Sequence, residues 1–431
     1  MNAGAGSPAR RAKSRPVRDV AWMGGAAVVA GLAGLVIMVV SAQTLDPVAN
    51  AEFMVFWSLL FWIIGALSGI QVETVRTVRR AALDRADVDR LAAANPHHRP
   101  GVKVVPWGVG FGLVLASAVT ALAWLFDRPA FAGSGALSAL ALIIGSSLFA
   151  GQAAFAGAAG GKGRWRWAAV MGGGEGVVRL VAFAIVLMAI DGQRFIAFKL
   201  AAAAGGLICL AALLPAPGAR LARRARGELP AAGYLAKTGQ AVAAGAASSS
   251  LINGFAALMS LTMDNQTVRG AAGLMFAVTM VRAPFLVALN AFMPMIVARL
   301  IDAGPRAGRL VALGAAGLAL AAGLGAGVVG LVGPWLLSYF NVAYQLSALV
   351  LAVLTVGAAC LAAVALSGSW ALARGQHGAY LAGWLTALGV AAAVLAAPLS
   401  ATVAVCVALI AGPLAGTAVH LTLIALRRPA R

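Results

Sequence analysis

Thirteen carboxylates are few for a chain of 431 residues, set against 33 lysines and arginines and four histidines. Charged residues make up 11% of the chain and hydrophobic ones 61%, with a mean hydropathy of +0.91. A soluble chain of this length needs far more polar surface to cover its cores. Cysteine is also scarce. Cys209, Cys360 and Cys406 are scattered through apolar runs, which excludes a disulfide framework and a thiolate metal site and leaves small packing residues. No stretch between the apolar runs is long enough for a soluble catalytic domain.

Nucleotide signatures are absent on inspection. "GAGVVG" (Gly325 to Gly330) matches G-x-G-x-x-G but lies inside an apolar run with no preceding strand, so it reads as a small-residue helix face. "GAAGGKG" (157–163) fails as a phosphate loop, because Ala156 stands at the required first glycine and Gly163 at the required Ser/Thr. Asp87 and Asp89, His97 and His98 lie in a charged connection without partners, and "NQT" (265–267) is a glycosylation acceptor by pattern only. No cofactor and no enzymatic activity are implied.

What the chain has is repetition of apolar runs of about 20 residues, the length of a helix crossing roughly 30 Å of hydrocarbon. The runs predict twelve spans: 20–43, 53–75, 104–126, 135–159, 168–190, 194–214, 239–262, 271–298, 309–338, 346–372, 379–397 and 401–426. The fold class is an all-α polytopic membrane protein. The 52 glycines fit close helix packing in lipid. "VSAQ" after the first run resembles a cleavage site, but that run is too long for a signal peptide and reads as a retained anchor.

The formal charge of +20 is a topology signal. With the N-terminus in the cytoplasm, the cytoplasmic connections hold 27 of the 33 basic residues and the outer ones only Arg128, Arg194 and Arg269. Both termini are therefore expected in the cytoplasm, in an inner membrane, with no nucleic-acid partner. Trp22, Trp107, Trp165, Trp167 and Trp370 fall near cytoplasmic span ends, and Trp124 and Trp335 near outer ones, as an aromatic belt requires. Trp57 and Trp62 lie deeper and are expected to pack against neighbouring helices.

The basic, proline-punctuated stretch 215–238 divides the chain into two halves of six spans. The expected organisation is a tail 1–19, an N-terminal lobe 20–214, a linker 215–238, a C-terminal lobe 239–426 and a tail 427–431. Outer connections are short, about ten residues at most, which leaves no room for the outer domain that membrane glycosyltransferases use.

Intramembrane charge is costly, about 3 kcal/mol on insertion scales, so each instance asks for a reason. In "GGGEGVVRL" (172–180), Glu175 lies about 10 Å and Arg179 about 16 Å into span five. A glutamate four residues before an arginine is the favourable order for a local pair, and a structural ion pair is one reading. The other is a cavity. Arg282, in "TMVRAPFLVALNAFMPM", sits near the midplane of the other half beside Pro284, which should loosen its helix. One midplane arginine per half suggests a shared central cavity of positive potential, suited to bidentate phosphate binding. Asn253, in the locally polar "ASSSLIN", either touches substrate or bonds a neighbouring helix. Glu73 and Arg76 either shape the cytoplasmic mouth or form a snorkelling interfacial pair, and Lys199 is expected to snorkel outward.

Four stretches together, "FWSLLFWIIGALSGIQVETVR" (56–76), "GEGVVRL" (174–180), "VRAPFLVALNAFMPMIVARL" (281–300) and "GPWLLSYFNVAYQLSALVL...ALARGQH" (333–377), resemble bacterial polysaccharide-export flippases. These belong to the multidrug/oligosaccharidyl-lipid/polysaccharide exporter superfamily. The resemblance implies two six-helix lobes around a central cavity. It also implies movement of polyprenyl-diphosphate-linked oligosaccharide to the outer leaflet by alternating access, for cell-surface polysaccharide biosynthesis beside glycan-synthesis enzymes. Arg179 and Arg282 would then hold the diphosphate, with Glu175 orienting Arg179. Some members carry two extra helices, which this chain lacks. The departure is from the drug-exporting branch, which commonly couples cations through a first-half carboxylate, while span one here has none. Glu73 or Glu175 would have to serve. A cation-coupled exporter of small amphiphiles and a non-transporting scaffold of a glycan-synthesis complex are the competing expectations.

Overall fold

A computed structural model describes residues 8–91, 101–126, 129–133, 135–189 and 194–426; side chains are described except at 8–20, 80, 82–91, 286–295, 297–298, 301–302 and 305. The His97–His98 pair, the side chains of Asp87 and Asp89, most of the tail 1–19 and the tail 427–431 lie outside the described residues.

The described chain is helical throughout. The first half comprises α1 (Pro8–Thr44), α2 (Pro47–Leu91), α3 (Val104–Phe126), α4 (Gly135–Gly161), α5 (Trp165–Ala189) and α6 (Arg194–Ala203), which continues as a 3-10 helix over Ala204–Leu213. A short α7 (Pro217–Arg223) precedes α8 (Ala231–Ile252), so the 215–238 segment holds α7 and the first two turns of α8. Then follow α9 (Phe255–Thr262), α10 (Asn265–Gly270), α11 (Ala272–Ala303), α12 (Ala307–Phe340), α13 (Ala348–Ala373), α14 (His377–Leu395) and α15 (Ala401–Leu426). Among the described residues, ten helical segments are long and apolar enough to cross a membrane, and α8 with α9, bent by 80°, makes an eleventh. α11 occupies the place of the eighth predicted span. The chain is a polytopic helical membrane protein of about twelve spans.

Local chemistry sets several boundaries. Asp46 Oδ1 accepts from the amides of Val48 and Ala49, both at 3.0 Å, and Pro47 opens α2 where a missing amide costs nothing. Gly375 ends α13 at φ 70°, a conformation that a side chain would strain.

The first six spans form one lobe, in which α1 lies on α5, α4 packs against α2 and α3, and the 3-10 segment lies on α4 and α5. In the second lobe α13 is central, against α11, α12 and α15, and α14 lies on α15. Glycine permits the close crossings: a methyl at Gly176 would sit 2.7 Å from Cα of Ala30. The outer faces of α3 and α12 expose Val114, Leu125, Leu324 and Leu331, as lipid contact requires.

Between the lobes, α2 runs along α8, α9 and α11, and α1 touches α11. At Gly69 the α2 backbone meets that of α8; a methyl there would lie 2.5 Å from the Ala241 carbonyl carbon. Trp62 reaches across, its Nε1 donating to Ser250 Oγ at 2.9 Å and to the Ala246 carbonyl at 3.2 Å.

Lys199 corrects the sequence reading. It does not snorkel: it is fully buried, and its ammonium donates to the carbonyls of Ala130 (3.0 Å) and Ala132 (2.8 Å) and lies 4.3 Å from the Phe195 ring centroid. Carbonyls freed where the chain turns before α4 give the charge a better partner than the interface does.

Candidate functional site

The seventh span breaks at Asn253–Gly254, and a break in a membrane helix frees carbonyls that must find donors. Arg282 of α11 supplies them. Its Nη2 donates to the carbonyls of Leu251 and Ile252, the latter at 2.7 Å. Ser58 of α2 completes the joint, donating to the Asn253 carbonyl at 2.6 Å and accepting from the Ala257 amide at 3.3 Å. Gly254 is needed here because a side chain would meet Trp62 at 2.9 Å. Pro284 lies inside α11, and an 80° bend separates α8 from α9 in the preceding span.

Beside this joint a cavity of about 410 Å³ separates the lobes, within the range of small-molecule sites. α1 lines it with Ala30, Gly34 and Met38, and α2 with Met54, Trp57, Ser58 and Phe61. The joint contributes Asn253 and Phe255, and α11 contributes Met275, Thr279 and Arg282. No carboxylate is among the described lining residues. The Arg282 Nε, buried, has no acceptor among the described residues, so the guanidinium keeps an unused donor.

Arg179 is placed differently. With Glu175 it lies outside the described cavity lining, its guanidinium carbon 4.7 Å from the ring centroid of Phe61 and 5.6 Å from that of Trp57. Its Nη2 donates to Glu175 Oε1 at 2.5 Å and its Nε to the Ala202 carbonyl at 2.8 Å. Gln152 of α4 donates to the other carboxylate oxygen at 3.1 Å. The pair therefore ties α4, α5 and the end of α6 together, and Gly205 leaves room for the guanidinium, a methyl there lying 2.6 Å from Nη2. The structure brings Arg282 and Asn253 into the cavity and holds Arg179 and Glu175 behind its aromatic wall.

The lobes also meet at both ends of the bundle. At the end carrying the basic connections, Arg76 forms a two-pronged pair with Glu73 (2.6 and 2.7 Å) and reaches Glu228, ahead of α8, at 2.8 Å. Thr74 and the Tyr234 hydroxyl are 2.8 Å apart. At the opposite end Asn50 donates to the Tyr344 hydroxyl, Asn341 to the Ala42 carbonyl at 2.9 Å, and Arg269 Nε to Glu52 at 2.8 Å. Burial pushes the Tyr344 phenol above its ordinary range, and Asp46 adds to the effect. Asn50, Glu52 and Tyr344 were not singled out from the sequence. The signal for Glu52 was Arg269, one of three outer basic residues.

A cavity between two lobes that meet at both ends is the plan of a known fold. Over 92% of this chain and 95% of the other, the structure is similar to an inward-facing multidrug resistance MATE family transporter of the MOP superfamily, with a TM-score of 0.62 and 14% identity. An outward-facing MATE transporter gives the same TM-score and identity over 96% of both chains. A MOP superfamily transporter from Pyrococcus furiosus, whose binding pocket is described as being of reversed polarity, matches with a TM-score of 0.62 at 14% identity, over 95% of this chain and 96% of that one. The chain has the MATE fold. No family model matches it. In sequence it is 33% identical to the uncharacterized protein Rv3630 of Mycobacterium tuberculosis over 411 residues, 94% of this chain and 92% of that protein. It is 32% identical to the uncharacterized protein Rv1510 of the same organism, over 95% and 92%. The chain belongs to the family of these mycobacterial proteins.

Proposed function

We propose that this protein is an alternating-access flippase that moves a polyprenyl-diphosphate-linked oligosaccharide from the cytoplasmic to the outer leaflet, for cell-surface polysaccharide biosynthesis. The observation that carries the reading is the cavity itself: Arg282 and Asn253 in its lining, and no carboxylate among the described lining residues. Such a site attracts an anionic head group and repels none of its charge. In this reading Arg282 and Asn253 hold the diphosphate, while Arg179, oriented by Glu175, keeps the Trp57–Phe61 wall in place. Glu73 and Arg76 form the cytoplasmic closure. The positive-inside distribution supports an inner-membrane chain with both termini in the cytoplasm, where the enzymes that build the glycan would load the substrate.

The aromatic and methionine lining also suits a small amphiphile, the basis of a second reading as a cation-coupled exporter. A cationic cargo, however, would face Arg282 with no compensating carboxylate. The open cavity speaks against a scaffold without transport. The test is leaflet translocation of a fluorescent polyprenyl-diphosphate sugar in proteoliposomes. Wild type should translocate it and Arg282→Ala should not. Translocation of a cationic dye in its place, undiminished in Arg282→Ala, would establish the exporter reading instead.

A further inference from the structure

The second lobe buries one histidine completely, His420 on α15, in a setting that hydrophobic packing does not call for. Its Nε2 faces the Tyr380 carbonyl of α14 at 3.0 Å, and its Nδ1 faces Ser367 Oγ of α13 at 2.9 Å. Ser367 has a second use for its proton, the Val364 carbonyl at 3.0 Å. The imidazole lies against the backbones of Gly383 and Gly368, where methyl groups would come within 2.2 and 3.2 Å of the ring. The space has been kept for a ring, and each ring nitrogen has an oxygen.

From this geometry we propose that His420 is a proton-binding site, and that its occupancy is felt at the seam between the lobes. The hydrogen bonds close in both protonation states. In the neutral ring, Nε2–H donates to the Tyr380 carbonyl and Nδ1 accepts from the Ser367 hydroxyl. On protonation an N–H bond forms at Nδ1 as an O–H bond of a hydronium ion breaks, leaving water. Nδ1–H then donates to Ser367 Oγ, and the hydroxyl turns to Val364. No donor is stranded, and one hydroxyl rotation is the only rearrangement. An apolar side chain would fill the same space and leave Ser367 bonded to Val364 alone.

The route to the seam is short. The Tyr380 ring is stacked on the imidazole at 6.2 Å with 13° between planes, and its hydroxyl lies beside Ser248 of α8. Tyr380 is the titratable group facing the site from α14; α13 and α15 contribute no ion pair to His420 among the described residues. The next two residues of α8 bind the other lobe: Ser249 donates to the Phe61 carbonyl at 3.5 Å, and Ser250 accepts from Trp62. A charge on His420 therefore presses on the residue that braces α8 where α8 meets α2. The inference rests on alternating access between the lobes but not on the identity of the cargo.

The test uses the full-length chain in lipid nanodiscs. Imidazole nitrogens are followed by magnetic resonance between about pH 5 and pH 9, the range in which histidine charge changes. In parallel, spin labels at exposed Val48 and Val342, with the three cysteines replaced, report the separation of the lobes at the end opposite the basic connections. We expect one midpoint shared by His420 and the lobe distance, loss of the pH dependence in His420→Gln, and a displacement of about one pH unit in Ser367→Ala. A ring that stays in one state throughout, lobes that stay fixed while it titrates, or a pH response that survives His420→Gln would each overturn the proposal. The wild-type titration stands even if a variant fails to fold. Translocation of the diphosphate lipid without any pH response would leave the flippase reading intact and remove His420 from it.

Discussion

Arg282 and Ile252 are joined at 2.7 Å, guanidinium to carbonyl, across the gap between α11 and the broken end of α8. One residue thus holds the hinge of the seventh span and lines the cavity. The same side chain answers a structural need and, in the proposed function, a chemical one, and substitutions can separate the two.

Arg282→Ala leaves two buried carbonyls without donors, at about 1–3 kcal/mol each. The expected outcome is a lower melting temperature together with lost translocation. Arg282→Lys keeps the charge and a donor, and should recover more stability than transport because the planar fork is gone. An alanine variant with unchanged melting and unchanged transport would remove Arg282 from both roles.

Glu175→Gln is expected to destabilise the protein by about 3–5 kcal/mol, since it leaves the Arg179 charge buried without its partner. The double variant Glu175→Leu/Arg179→Met should cost much less. Thermal unfolding of both, in a double-mutant cycle, decides; additive costs would mean that the two residues do not work as a pair.

Asn50→Cys with Tyr344→Cys, in a background without the native cysteines, should be bridged by a short bifunctional methanethiosulfonate that spans the length of the lost tyrosine, holding together the contact opposite the basic connections. Translocation is expected to stop on cross-linking and return on reduction. Full transport through the cross-linked protein would show that this contact need not open.

Gly69→Val places side-chain atoms against the α8 backbone, where even a single methyl would come within 2.5 Å. The lobes should then be unable to close at the end carrying the basic connections. A thiol at Ser58→Cys, inside the cavity, is expected to react faster with a water-soluble maleimide added from that side. Equal labelling rates would place the closure elsewhere.

The number and order of the spans were legible in the sequence because each span must present a continuous apolar run to lipid. The broken seventh span was not, because "SSSLINGFAALM" keeps its hydropathy through the bend; its polarity showed only as a serine cluster. Asn253 was legible as a choice between substrate and helix contact, and its backbone turns out to serve the hinge. The charges at Glu175 and Arg179 were visible, but their partners, Gln152 and the Ala202 carbonyl, come from other helices that no spacing rule connects. Lys199 misled for the same reason: its carbonyl partners belong to the turn before α4. His420 carries no motif at all, and only the packing of three helices shows what surrounds it.

The bend at Asn253–Gly254 gives one span two mechanical loyalties. The half before it, α8, carries the contact with Gly69; the half after it leads through α10 to Arg269 and its grip on Glu52. A straight rod would transmit every tilt at one end to the other, and both doors would swing together. A jointed one lets either end shift while the other stays in contact, which is the mechanical independence that the proposed transport between leaflets would require.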